Sequence, residues 1–371
     1  MNAATPPDRP GPLAGLRVLE FTGLGPGPFA GMLLADMGAD VVRIDRPGAV
    51  DGEIFDVMAR GKRSATVDLK TDAGRETALK LAGAADMLIE GFRPGTMEHL
   101  GLGPAPLLER YPRLIYGRVT GWGQTGPLAR SAGHDLNYIA LTGALASIRP
   151  AGGKPIPPLN LVGDFAGGSM FLLFGLLAAL HERTVSGRGQ VVDAAMIDGA
   201  SLLLTAVREL RARGAWAGQP GTNFLDGGAH FYAAYECADG QFISIAPIEP
   251  QFYRILCDRL ELGGDYEDQW RRENWPVLTR KLADLFRTRS RDEWTSLLEG
   301  SDVCFAPVLG LDEAPGHPHN LARAAFIDVD GVSLPAPAPR LSRTPATVRS
   351  GAPGLGSHGA DIFADWCPAR G

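Results

Sequence analysis

Leu16-Arg17-Val18-Leu19-Glu20-Phe21 is followed by Gly23-Leu24-Gly25-Pro26-Gly27-Pro28 and then, after a periodic apolar run to Met37, by Val41-Val42-Arg43-Ile44-Asp45. The outer pieces are short and rich in apolar residues, which suits buried strands. The spacing between them suits a helix over 28–37. Strand, helix and strand within about 30 residues make a βαβ unit. The pattern recurs outward, with a helix over 74–84, a strand over 85–90, a helix near 105–111 and a strand over 114–119. The expected frame is α/β: a large, open, mostly parallel, Rossmann-like sheet with helices between its strands.

Beyond Asn160 a Gly-rich stretch leads into an apolar helix over 165–182, expected to be buried on most faces. Gly187-Arg188-Gly189 breaks the chain before a strand over 190–194, and a helix over 197–213 follows. Residues 214–230 are Gly-rich and read as a linker. Residues 232–246 then read as a hairpin turning at Asp239-Gly240. Helices over 250–262, 275–287 and 291–298 complete a smaller α+β domain. The expected division is a large domain of 1–195 and 331–371, a helix and linker over 196–230, a small domain over 231–315 and a return linker over 316–330.

Composition narrows the function. The 371 residues carry a formal charge of −6, so there is no basic footprint for nucleic acid. The most apolar run, 170–180, falls short of the roughly 20 residues that span a bilayer. The Pro-rich lead over 1–14 has no apolar core of a secretory signal. No membrane association is expected. Four scattered cysteines (237, 257, 304 and 367) form no CxxC or disulfide framework, which points to a reducing cytoplasm. His317-x-His319 reads as a loop, and no metal site is expected.

The Gly-rich turn over 23–28 stands where dinucleotide folds place a phosphate loop, and Asp45 mimics their ribose-binding acid. Two features oppose that reading. The third glycine of the fingerprint is Pro28, and Pro26 and Pro28 each remove a backbone N–H that would cradle pyrophosphate. A tight strand-to-helix turn without a ligand is a serious rival for the loop alone. Arg46 and the run Arg60-Gly61-Lys62-Arg63-Ser64 place local cations in an acidic chain. They suit a phosphorylated adenosine, while spacing alone favours a solvated charged surface.

The chain also resembles the family III CoA transferases and α-methylacyl-CoA racemases. The matching pieces run in order. They include Gly15-Leu16-Arg17-Val18-Leu19-Glu20, Gly25-Pro26-Gly27-Pro28-Phe29-Ala30, Met37-Gly38-Ala39-Asp40-Val41-Val42, Asp68-Leu69-Lys70 and Gly91-Phe92-Arg93-Pro94-Gly95. Further along come Gly121-Trp122-Gly123-Gln124-Thr125-Gly126-Pro127, Gly133-His134-Asp135-Leu136-Asn137-Tyr138, Asn160-Leu161-Val162-Gly163-Asp164, 187–194 and 235–240. Asp164 belongs to the motif that both branches share. His134, and the segment Ile248-Glu249-Pro250-Gln251-Phe252-Tyr253, resemble the racemase branch.

That resemblance implies a racemase of 2-methylacyl-CoA thioesters, with a family III CoA transferase using Asp164 as nucleophile as the alternative. Inversion next to a thioester needs a proton removed from one face of the carbon and another delivered to the opposite face. The family implies His134 for the S substrate, Asp164 for the R substrate, and Glu249 holding the far nitrogen of the imidazole. The helix start at Asp164 offers backbone N–H groups to a developing oxyanion, and the same groups favour ionised Asp164. For CoA, the resemblance assigns Arg46 and the strand end Val67-Asp68-Leu69-Lys70 to the adenosine. It assigns Gly91, Phe92 and Arg93 and the loop Gly133, Asp135, Leu136, Asn137 and Tyr138 to the path toward the thioester. His99 stands where relatives often carry an Arg that helps bind CoA. No cofactor is implied beyond the CoA that the substrate carries. An interlocked homodimer is implied, with each site shared between one chain's large domain and the other's small domain.

Overall fold

The computed structural model of the chain describes residues 10–21, 23–49, 56–216 and 218–368; most of the Pro-rich lead lies outside them. The chain divides into two units, one of residues 1–142, 159–203 and 324–371, the other of 143–158 and 204–323.

The first unit is built on six strands: β1 Arg17–Phe21, β2 Asp40–Asp45, β3 Arg63–Thr66, β4 Met87–Glu90, β5 Ile115–Thr120 and β6 Val191–Ala195. All pairs are parallel, in the order β3-β2-β1-β4-β5-β6. The α/β frame expected from the sequence is present, with β3 added; it begins within the cation run, at Arg63 and Ser64. Helices α1 Pro26–Asp36, α2 Asp72–Ala84, α3 Thr96–His99 and α4 Pro104–Arg110 join these strands, and α5 Asp135–Thr142 follows β5. The α2 start is set locally. The Thr71 hydroxyl accepts from the Gly74 N–H at 3.0 Å, and Asp72 faces the positive end of the helix.

Side chains alternate across the sheet with the period of two that a strand dictates. Val18, Met87 and Ile89 enter the core on one face; Leu19 and Leu88 enter the core on the other. Both faces are covered, which is why β4 and β5 are apolar or paired throughout rather than alternating with exposed residues. The C-terminal stretch belongs to this unit. It carries the hairpin β10 Phe326–Val329 and β11 Val332–Pro335. It ends in a helix over Gly359–Trp366 whose Ile362 and Trp366 complete one core.

Residues Leu161–Ser169 form a π-helix that continues into α7 Met170–Ser186, closed at Gly187, whose φ is 74°. (The short α6, Ala144–Ser147, belongs to the second unit.) The combined helix, 161–186, is long and apolar enough to cross a membrane by length and composition alone. It is not buried on most faces, contrary to what the apolar run predicts. Leu172, Leu173, Leu176 and Ala179 pack into the core, while Met170, Phe174, Leu177 and Val185 are exposed. The expected helix over 197–213 is two helices, α8 Met196–Leu203 and α9 Thr205–Ala212, broken at Leu204 where the first unit ends.

The second unit holds the expected hairpin, β7 Ala233–Glu236 and β8 Phe242–Ile245, extended by the antiparallel β9 Phe305–Val308. Helices α10 Pro250–Arg259, α11 Trp275–Phe286 and α12 Arg291–Leu298 cover it. Its core is aromatic, with Phe231, Tyr253, Trp275, Phe286 and Trp294 buried together.

Candidate active site

Parallel strands all end on the same edge, and here the order reverses between β1 and β4. Loops leaving the two strands diverge at such a point and open a crevice. A cleft of about 410 Å³ lies there. It is lined by the 23–28 turn after β1, by Gly91, Phe92 and Arg93 after β4, by Trp122 after β5, and by Gly133, His134, Tyr138 and Asp164. The turn is not a dinucleotide loop. Gly25 has φ 68°, and a Cβ placed on it would lie 3.3 Å from Asp164 Oδ2, so the glycine lets the carboxylate come close. Asp45, the apparent ribose acid, is buried and committed: Arg43 Nε and Nη2 and the Ser64 hydroxyl all donate to it.

Asp164 sits in the first turn of the π-helix. Such stretches are rare and concentrate at functional sites. Its Oδ2 accepts from Asn160 Nδ2 at 3.1 Å. Burial pushes its carboxyl above the usual range. The Asn160 hydrogen bond opposes that shift, the nearby Asp135 charge adds to it and His134 opposes it. Burial thus outweighs the pull of the helix-start amides and shifts Asp164 toward the protonated, proton-donating form. Nor are those amides open to an oxyanion. The N–H groups of Gly163 and Asp164 donate to Asp135 Oδ2 at 2.6 and 2.7 Å.

His134 immediately precedes α5. Its carbonyl accepts from the N–H groups of Asn137 and Tyr138, and its own N–H donates to Asn137 Oδ1 at 3.1 Å. The backbone is fixed while the imidazole, exposed in the cleft, makes no hydrogen bond among the described residues. Tyr138 buttresses the loop. Its hydroxyl donates to the Gly133 carbonyl, and its ring meets Trp122 edge-on at 4.8 Å. A Cβ at Gly121 would fall 2.0 Å from that ring, so no side chain fits there.

The remaining predicted residues sort by position. Arg46 is exposed immediately after β2, and Val67, Asp68, Leu69 and Lys70 immediately follow β3, so all five lie along the same sheet edge as the cleft. Val67 and Leu69 turn their side chains into the core, and Lys70 is exposed. His99 ends α3, exposed, outside the cleft lining. Leu136 and Asn137 are exposed, while Asp135 is buried and bound to backbone rather than facing a ligand. Glu249 is the exposed N-cap of α10 in the second unit and makes no capping hydrogen bond.

Both sequence accounts of the cation run are corrected. Arg60 is buried against Asp36 at 2.6 Å, Lys62 against Glu20 at 2.7 Å, and Arg63 pairs with Asp40 at 2.5 Å. These cations are internal struts, neither solvated nor aimed at a phosphate. Lys62 Nζ also donates to the Pro28 carbonyl at 2.9 Å, which pins the first turn of α1 beside the cleft. Sequence reasoning missed Asn160 as a partner of Asp164, although its i,i+4 spacing was a usable signal.

Residues 13–359 match the family model described as CoA-transferase family III. The chain is 46% identical over 358 residues to the alpha-methylacyl-CoA racemase of Mus musculus, covering 95% of this chain and 93% of that protein. It is 43% identical to the Homo sapiens protein of the same name, again over 95% and 93%. A solved structure of a CAIB/BAIF family protein from Brucella suis superposes with a TM-score of 0.83 at 28% identity, covering 96% of this chain and all of that one.

Proposed function

The chain belongs to CoA-transferase family III, and we propose that within it the chain is a racemase that interconverts the R and S forms of 2-methylacyl-CoA thioesters. The observation that carries this reading is that His134 and Asp164, from separate elements, line one cleft with Asp164 biased toward its protonated form. Neutral His134 takes the C2 proton of the S thioester. The C–H electron pair moves into the carbonyl to give the enolate, and protonated Asp164 returns a proton to the opposite face. From the R thioester the roles exchange, with ionised Asp164 as base and the His134 imidazolium as acid. Exchange with solvent resets both groups.

Arg46, Arg93 and the ends of β2 and β3 are proposed to bind the CoA portion along the sheet edge. Glu249 of a second copy is proposed to steady the imidazolium in a shared-site homodimer. Its side chain, exposed and making no capping hydrogen bond to its own helix, is free of that task and supports a role outside the helix.

The test is deuterium incorporation at C2 of 2-methylacyl-CoA in D₂O with no acceptor acid present. Incorporation is expected, and His134→Ala should lower exchange from the S thioester by about 10²–10⁴-fold, well beyond its effect on the R thioester. Transfer of CoA to an added acid with no C2 exchange would instead establish the transferase chemistry.

A further inference from the structure

We infer that Asp135 is a positioning residue that straps the Asp164 turn to the helix start carrying His134, and so fixes the separation of the two groups. The inference rests on the proposed racemase reading. The first amides of any helix lack intrahelical acceptors and need a cap. In the π-helix the N-cap residue, Asn160, makes no capping hydrogen bond to the backbone; its side chain goes to the Asp164 carboxylate instead. The cap comes from elsewhere in the chain. Asp135 Oδ2 accepts from both Gly163 N and Asp164 N at 2.6 and 2.7 Å.

Three further observations fit a dedicated strap. Asp135 is 5% exposed, so its carboxylate has little water to compete with the amides. A Cβ on Gly163 would fall 2.6 Å from Oδ2, so the glycine is what admits the carboxylate. Asp135 Oδ1 is buried and has no hydrogen-bond partner among the described residues. A buried unpaired acceptor costs stability, and such groups persist where function requires the geometry. Asp135 is also adjacent in sequence to His134, so no flexible segment intervenes between the strap and the first base. Its charge beside Asp164 adds to the upward shift that burial imposes on that carboxyl.

The variants Asp135→Ala and Asp135→Asn separate this role from general support. Substrates are R and S 2-methylacyl-CoA carrying deuterium at C2, followed in single turnover for label loss. Asp135→Ala should lower loss from the R thioester, the substrate of Asp164, by about 10²-fold, the scale of an ångström's misplacement. Loss from the S thioester should fall less than tenfold. Asp135→Asn keeps an oxygen able to accept both amides and should recover most of the R rate. Equal losses on both epimers in Asp135→Ala, or no recovery in Asp135→Asn, would overturn the strap. If Asp135→Ala does not fold, recovery by Asp135→Asn decides alone. If the unmodified protein shows no C2 exchange but forms a hydroxylamine-trappable Asp164 acyl group, the racemase reading fails. The strap is then read on trapping, lost in Asp135→Ala and kept in Asp135→Asn if it holds.

Discussion

Asp164 is a carboxyl that the fold makes uncomfortable when charged. Burial is the main cause, and the Asp135 charge adds to it, while one hydrogen bond from Asn160 and the nearby His134 only partly offset them. Such tension is the usual companion of a tuned acid and carries a stability cost. The sign follows from linkage. Asp164 titrates higher in the folded chain than in the unfolded one, where its value is near 3.8. The unfolded state therefore loses its proton first as pH rises, and folded stability drops from about pH 4 upward through the raised value. Asp164→Asn removes that penalty and still offers an oxygen to Asn160. Relative to the unmodified protein, its melting temperature should therefore climb between pH 4 and pH 8, although its turnover falls. Thermal melts at the two pH values check this. A difference that does not change with pH would mean that desolvation of Asp164 is not being relieved. His134 contrasts with it, since its backbone is fixed by three hydrogen bonds while its ring is left to the cleft.

At the scale of elements, legibility followed periodicity. The β1, α1 and β2 pattern was readable because each piece repeats its apolar spacing over a full element, and the ends fall within two residues of those observed. β3 was hidden because its first residue is a cation and its inward residues are only Ser64 and Ala65. The π-helix was unreadable as such because its glycines erase the spacing that distinguishes it from an α-helix. The internal pairs join residues 23 to 42 positions apart, which no local pattern reports. That gap misdirected the cation run, and the correction has a measurable consequence. Lys62→Met should leave Glu20 buried and unpaired and destabilise the fold by about 3–5 kcal/mol; adding Glu20→Gln should restore a large part. Arg46→Ala, at an exposed position after β2, should change stability by less than about 0.5 kcal/mol. It should weaken CoA-ester binding about tenfold, the loss of one charge-assisted contact. Denaturant melts beside CoA-ester titrations separate the two. Weaker binding with unchanged stability in Lys62→Met would restore the phosphate reading of the run.

At the scale of the whole molecule, one chain leaves two things unaccounted for. Met170, Phe174, Leu177 and Val185 expose an apolar stripe along α7, at 51%, 74%, 42% and 84% of their surfaces. Exposed apolar surface of this kind is a mark of association. His134 and Glu249, meanwhile, belong to different units of the chain. A homodimer in which each site takes its His134 from one protomer and its glutamate from the other answers both. The proposal has an outcome that single-chain sites cannot mimic. Let His134→Ala and Glu249→Ala each be nearly inactive alone in exchange from the S thioester, and let the two variant chains be co-expressed with different tags so that only hybrids are kept. If the sites are shared, one site in each hybrid joins an intact His134 to an intact glutamate, and the other carries both defects. The hybrid should then recover about half the activity of the unmodified dimer, far above either parent, since losing one acid–base group costs about 10²–10⁴-fold. If each site lies within one chain, every site in the hybrid carries one defect, and the activity is the mean of the two parents. Exchange of C2 deuterium from the S thioester by the purified hybrid reads the difference directly, and the parental mean would remove Glu249 from the neighbouring chain's site.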